Sequence, residues 1–358
     1  MSVYRIANDA PESDGTLTWD STTVVVVEAT GGGVTGLGMT YGPRACAAVI
    51  HDTLAPVVTG HAAVDVPGAW TAMVEAIRNI GRAGVTSMAI AAVDSALWDL
   101  KARILELPLA QLLGTVRKEV PIYGSGGFTS YSDDVLEEQL RRWVGDQGIP
   151  RVKIKIGQDR GRRPERDLDR VAFARKIIGD GAELYVDANG GYSAKQAIRM
   201  ARSLVAEGVT WFEEPVSSDD LDGLRQVRDA TDTDVAAGEY GYDLVYFERM
   251  APAVDVLQVD ASRCAGISEW LRACSVAAAH GLEVSAHTAQ SLHAHAACAV
   301  PNLRHIEYFA DHERADRLLF DGVLEPQDGH LVPDLTRPGM GLELRRADAR
   351  GYLVESST

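Results

Sequence analysis

Positive charge is in short supply in this chain, cysteine is rare, and no long apolar run occurs. Its 35 Lys and Arg face 51 Asp and Glu, a formal net charge of −16 over 358 residues. That balance excludes nucleic acid as a partner, because phosphates demand a basic face. It equally excludes an anionic membrane surface. A small anionic substrate stays compatible, since a local lysine pair and a divalent cation outweigh the global field. The four cysteines, Cys46, Cys264, Cys274 and Cys298, are scattered with no CxxC spacing. Free thiols in a reducing cytoplasm follow. No stretch reaches the length needed to span a bilayer. The opening MSVYRIANDAPESDG has neither a basic n-region nor an apolar h-region, so no secretion signal is expected. Gly31, Gly32 and Gly33 open no helix in a GxGxxG pattern, which leaves no dinucleotide loop.

What is present is a large core: 46% of residues are apolar and 24% charged, the balance of a globular protein. The length suits a barrel of about 200–250 residues plus a smaller partner. Residues 1–115 read as an α+β capping domain: STTVVVVEAT and VTGLGMTY form a hairpin or meander, and helical patterns cover 44–58, 69–82 and 87–105. Residues 116–320 read as the catalytic barrel domain: from Val120 strands and helices alternate, with strands near 121, 153, 185, 211, 236, 257, 284 and 306. Eight such strands fit a closed α/β barrel. Residues 321–358, rich in Gly and Pro, read as a return to the cap.

Ionisable residues close these apolar strands in series. They are Lys153 and Lys155 in VKIKIG, Asp187 in LYVDANG, Glu213 in TWFEEP, Glu239 in VAAGE, Asp260 in VLQVDAS, His287 in EVSAHT and Glu307 in RHIEYF. Strand ends are where such barrels keep their chemistry. Period 2 turns both lysines of VKIKI inward. Their mutual repulsion and desolvation should lower at least one pKa towards neutrality, which makes a general base. Asp187, Glu213 and Glu239 end three consecutive strands in phase, and converging carboxylates call for a hard divalent cation, Mg²⁺ rather than Zn²⁺. Glu214 should face elsewhere, while Asn189 could reach the ligand sphere or the substrate. Asp260 and His287, on neighbouring strands, form a dyad for proton transfer. His293 and His295 lie on the helix after strand seven and read as packing. A lysine base and a histidine base then flank a central metal. A substrate carboxylate on that metal would have its α-proton acidified, and the cation and Lys153 would stabilise the enediolate.

This motif series resembles the enolase superfamily, and within it the mandelate racemase subgroup, over nearly the whole chain. The resemblance implies a modified (β/α)7β TIM-type barrel with an α+β cap. It implies Lys155 as one acid/base, His287 oriented by Asp260 as the other, and Lys153 and Glu307 on the substrate carboxylate. Asp187, Glu213 and Glu239 would be the Mg²⁺ ligands. Asp260 stands where the muconate-lactonising subgroup has a lysine. Dehydration of an acid sugar, aldonate or aldarate, to a 2-keto-3-deoxy acid is the implied activity. Racemisation or epimerisation of a 2-hydroxy acid or amino-acid derivative is the alternative, and an inactive binding barrel is the alternative of another class. A homo-oligomer is implied as well.

The cap loop APESDGTLTWDS sets specificity by this resemblance. It carries Glu12, Asp14, Trp19 and Asp20 and no basic residue, so a monocarboxylic aldonate is expected over an aldarate. Asp14 and Trp19 are its candidate substrate contacts. Arg44, Arg162 or Arg163 reaching the site would reverse that expectation.

Overall fold

In a computed structural model, which describes residues 1–357, eight parallel strands close into a ring. They are Val120–Gly126, Arg151–Lys155, Glu183–Asp187, Val209–Glu213, Asp234–Ala237, Val256–Val259, Glu283–Ala286 and Leu303–Phe309. Each pairs with the next, and Ile306–Phe309 closes the ring against Ile122–Ser125. The outward residues, such as Val152, Ile154, Leu184, Val186 and Phe212, are fully buried beneath the surrounding helices. That burial on both faces is why these strands read as short apolar runs. Inside the ring, Tyr123, Tyr185, Trp211, Ala236 and Val256 form a separate plug.

The cap is an antiparallel sheet of Ser2–Ser13, Thr18–Gly31 and Val34–Thr40, backed by the helix Val85–Ile104. A fourth strand, Leu353–Ser356, pairs with Ser2–Tyr4, so the chain's last segment completes the sheet begun by its first. Asp99 of the long helix ties that segment down by accepting from the backbone N–H groups of Leu37 and Met340.

The expected helix at 69–82 runs instead over Val66–Ala76. Pro67 fits the first turn, and Asp65 caps it by accepting from the Gly68 N–H. Besides short helical turns, helices not anticipated include Leu244–Met250 after the fifth barrel strand and Ala310–Leu319 after the eighth. The second touches both the barrel and cap strand Thr18–Gly31. All four cysteines are buried and unpaired. No described helix is long and apolar enough to cross a membrane.

Candidate active site

One pleat above the aromatic plug, the inward side chains become ionisable. Tyr185 is followed by Asp187, Trp211 by Glu213, and His305 by Glu307, each two residues on. The fifth strand breaks this rule. Ala236 points into the plug, so two-residue alternation would turn Glu239 outward. Gly238 corrects the phase with a φ of 132°, a conformation open to glycine. A Cβ there would meet the Gln258 carbonyl oxygen at 2.4 Å. The expectation that all three carboxylates share one phase is thus wrong for Glu239, and an irregular backbone brings it in.

Asp187, Glu213 and Glu239 each place a carboxylate oxygen within 4.8 Å of the others. Lys153 Nζ donates to Glu213 Oε1 at 2.5 Å, lies 2.8 Å from Glu307 Oε1, and is fully buried. Lys155 pairs with Asp187. Neither lysine is driven towards neutrality. Burial works in that direction, but Glu213, Glu307 and Asp187 outweigh it at Lys153, and Asp187 does so at Lys155. Both ammonium groups are held above the ordinary lysine value. Repulsion between the lysines was legible along one strand, whereas the carboxylates opposing it arrive from three others.

Glu214 does not face away as expected. Its backbone turns at φ 36°, and its carboxyl is buried beside the cluster. Burial, and then the charges of Glu239, Asp187 and Glu213, push it well above the carboxylate range. Glu213 is likewise raised, by burial first. The Asn189 Oδ1 and Glu214 Oε1 atoms are buried with no hydrogen-bond partner among the described residues. Crowded hard oxygens with unmet capacity fit a divalent cation such as magnesium.

On the other side, His287 Nδ1 donates to Asp260 Oδ2 at 2.9 Å. Asp260 Oδ1 accepts from the Ser262 N–H and Oγ–H, each at 2.7 Å. Burial would raise Asp260, but the His287 hydrogen bond and charge outweigh it and hold the carboxylate ionised. Nε2 of His287 is left facing Glu239 Oε2 at 3.3 Å and Glu307 Oε2 at 3.7 Å. Arg263, missed in the sequence, spans the two elements: it donates to Glu239 Oε1 at 3.0 Å and lies 3.4 Å from Asp260 Oδ2. Its signal was its place three residues after a strand-end aspartate, on the same turn. His293 accepts from the Ala261 N–H through Nε2 and donates to the Thr288 carbonyl, which fastens the loops after strands six and seven. Glu307 accepts from Ser125, Lys153 and the Thr288 N–H.

Above these groups lies a cavity of about 320 Å³, with Lys155, Asn189, Glu239, Asp260 and His287 in its wall. Lys153 and Glu307 are not in that wall but in the layer beneath. The cap loop forms the roof. Gly15 allows it to seat, because a Cβ there would lie 2.7–2.9 Å from the carbonyl oxygens of Ile156, Gly157 and Ala188. Asp14 and Trp19 line the cavity. Asp14 is also the loop's own staple, accepting from the Thr16 and Leu17 N–H groups at 2.5 and 2.7 Å. Burial raises it despite the nearby Lys155. Glu12 is turned to Asn8 and Tyr131, and Asp20 to Arg5 at the surface. Arg44 pairs with the half-buried Glu355 and Arg162 with Asp159, and Arg44, Arg162 and Arg163 are all exposed. None of these three arginines lines the cavity. Tyr41, Asp311 and His312 do, and none of them was anticipated.

Comparison with known proteins agrees with this geometry. Residues 4–114 match the mandelate racemase / muconate lactonizing enzyme N-terminal domain, and residues 135–349 the enolase C-terminal domain-like family. L-talarate/galactarate dehydratase of Salmonella typhimurium is 34% identical over 321 residues, spanning 87% of this chain and 78% of that protein. Its crystal structure with magnesium and L-lyxarohydroxamate superposes with a TM-score of 0.89 at 30% identity, over 99% of this chain and 91% of that one. Arabinonate dehydratase of Saccharolobus solfataricus is 30% identical, spanning 80% of this chain and 78% of that protein. A mandelate racemase/muconate lactonizing enzyme-like protein from Rubrobacter xylanophilus is 51% identical with a TM-score of 0.96, over 99% and 98% of the two chains. The chain belongs to the mandelate racemase / muconate lactonizing enzyme family of the enolase superfamily.

Proposed function

We propose that this protein is a magnesium-dependent acid-sugar dehydratase, converting an aldonate or aldarate to a 2-keto-3-deoxy acid. The observation that carries the reading is a cavity walled by Lys155 and the Asp260-oriented His287, above three converging carboxylates of which Glu239 reaches the wall. Asp187, Glu213 and Glu239 would hold the magnesium, which would supply positive charge where negative charge develops on the substrate carboxylate and would compete with Lys155 for Asp187.

The remaining work falls to the chain's own side chains. Lys155 reaches the cavity wall and, once Asp187 no longer holds it as the ammonium, takes the α-proton as the free amine. Lys153, in the layer beneath, contributes fixed positive charge held in place by Glu213 and Glu307. Asp260 accepts from His287 Nδ1–H, so Nε2 is the cavity-side nitrogen that gains and returns the exchangeable proton, and the adjacent carboxylate stabilises the imidazolium that then carries it. From there it protonates the departing β-hydroxyl, which leaves as water, and the resulting enol tautomerises to the ketone. Asn189 and Trp19 are in the wall to position the substrate. Because bases stand on both sides, returning the proton to the opposite face would make the same site a racemase or epimerase. Buried, unpaired cysteines support a reducing, cytoplasmic setting. Homo-oligomeric assembly is part of the same reading, on the family resemblance.

Proton NMR of the magnesium-loaded protein in D₂O with pooled aldonates, aldarates and hydroxy acids tests this. Loss of an α-proton signal with growth of methylene resonances is the expected result. Exchange or inversion without methylene growth would make the enzyme a racemase or epimerase. No change in any pool, with no magnesium binding, would return the chain to a binding scaffold.

A further inference from the structure

We propose that Asp311 and His312, in the first turn of the helix after the eighth barrel strand, form the specificity wall: they read substrate hydroxyls, and Asp311 turns away a second carboxylate, making the preferred substrate an aldonate. This rests on the acid-sugar reading of the same cavity.

Both side chains line the cavity, and both are fixed from behind. Asp311 is 3% exposed; its Oδ2 accepts from Trp19 Nε1 at 2.8 Å and its Oδ1 from Arg314 at 3.3 Å. Arg314 also serves Glu12 at 3.5 Å, so one guanidinium is shared by two carboxylates. The wall is therefore short of positive charge. Burial first, then Glu12, push Asp311 up to about 7. A further anion would worsen that deficit.

His312 is a donor with its tautomer set. The Ala289 N–H donates to Nδ1 at 2.9 Å, so the ring proton sits on Nε2. Burial holds the ring neutral, with its pKa lowered to about 3. Tyr41 stacks on it, with centroids 3.5 Å apart and planes 10° from parallel. A neutral donor next to an acceptor suits the vicinal hydroxyls of a sugar chain. A terminal carboxylate instead needs a free cation. Among the described residues, the cations in the cavity wall are already committed: Arg263 to Asp260 and Glu239, and Lys155 to the α-proton in the acid-sugar reading. The acidic cap loop led to the same preference from sequence, but Glu12 acts here from behind, by crowding Asp311 and sharing Arg314, and Asp20 not at all.

The test is calorimetric binding of five- and six-carbon aldonates, each paired with the aldarate of the same configuration, to the magnesium-loaded wild type, Asp311→Asn and Asp311→Glu proteins. Wild type should favour an aldonate over its aldarate by about tenfold or more, the scale of one charge-assisted contact. Asp311→Asn keeps an acceptor for Trp19 and should collapse that ratio, whereas Asp311→Glu should preserve it. An aldarate bound more tightly by wild type, or a ratio unchanged in Asp311→Asn, would overturn the proposal while leaving the dehydratase reading intact. Binding of no pair by wild type would overturn both.

Discussion

Two layers of the same barrel, one pleat apart, follow opposite physical rules. In the lower layer Tyr123, Tyr185, Trp211 and His305 pack ring against ring with centroids 4.6–6.2 Å apart. In the upper layer, about 7 Å higher by strand rise, Asp187, Glu213, Glu239 and Glu307 crowd around two lysines. The lower layer gains by burial and aromatic contact. The upper one pays desolvation and like-charge repulsion. Lys153 joins the two, with its ammonium 5.3 Å from the Tyr123 ring centroid. Stability and chemistry are thus stacked along the same strands, so a substitution's effect should depend on its layer more than on its strand.

The largest effect should come from the upper layer. Lys155→Ala should lower kcat by about 10⁴-fold, the upper range for a general base, with circular dichroism and magnesium binding retained; substantial residual turnover would move the base role elsewhere. The lower layer should respond in the other quantity. Tyr185→Ala should cost about 3–5 kcal/mol in denaturant unfolding, as expected for an emptied aromatic site, while kcat of the folded enzyme changes little, because the Tyr185 hydroxyl donates to Glu183 and not to the carboxylate cluster. A large fall in kcat there would erase the distinction between layers. Arg263→Met should weaken magnesium affinity or kcat/KM by roughly 10–100-fold, the usual weight of a residue that orients ligands. Equal losses in unfolding free energy and none in affinity would make Arg263 part of the scaffold.

The smallest expected effect concerns an acid just behind the mouth. Burial pushes Asp316, which accepts from Tyr41 and Ser291, up to about 7. The folded state therefore keeps a proton that the unfolded chain releases near pH 4, and stability falls as pH rises from about 4 to about 7. Asp316→Asn lacks this loss. Its Tm relative to wild type should accordingly rise by a few degrees from pH 5 to pH 8. A difference independent of pH would show that Asp316 is ionised throughout.

The barrel was legible because each strand is a short β-branched or aromatic run ending in an ionisable residue, and parity placed Lys155, Asp187, Glu213, Asp260, His287 and Glu307 on one face. What was not legible has specific physical causes. Glu239 enters through the backbone irregularity at Gly238, and Glu214 through a positive φ, neither of which any periodicity encodes. The helix Ala310–Leu319 follows its strand without a connecting loop, with no side-chain cap at Phe309. Asp311 and His312 were hidden with it. The strand Ser2–Ser13 is half exposed and polar, so it carries no clean alternation. The lysine charge state depended on partners from other strands, which no single segment reveals.

The pairing of Leu353–Ser356 with Ser2–Tyr4 has a consequence for synthesis. During translation at about 5–20 residues per second, the opening strand waits roughly 20–70 s for that partner. Over that time its outer edge is a template for the strands of neighbouring nascent chains. Arg5, Asp9, Pro11 and Glu12, spread along Ser2–Ser13, are the residue types that make such an edge a poor template. The polarity that hid this strand from sequence reading is what keeps it soluble until the ribosome has delivered the far end of the chain.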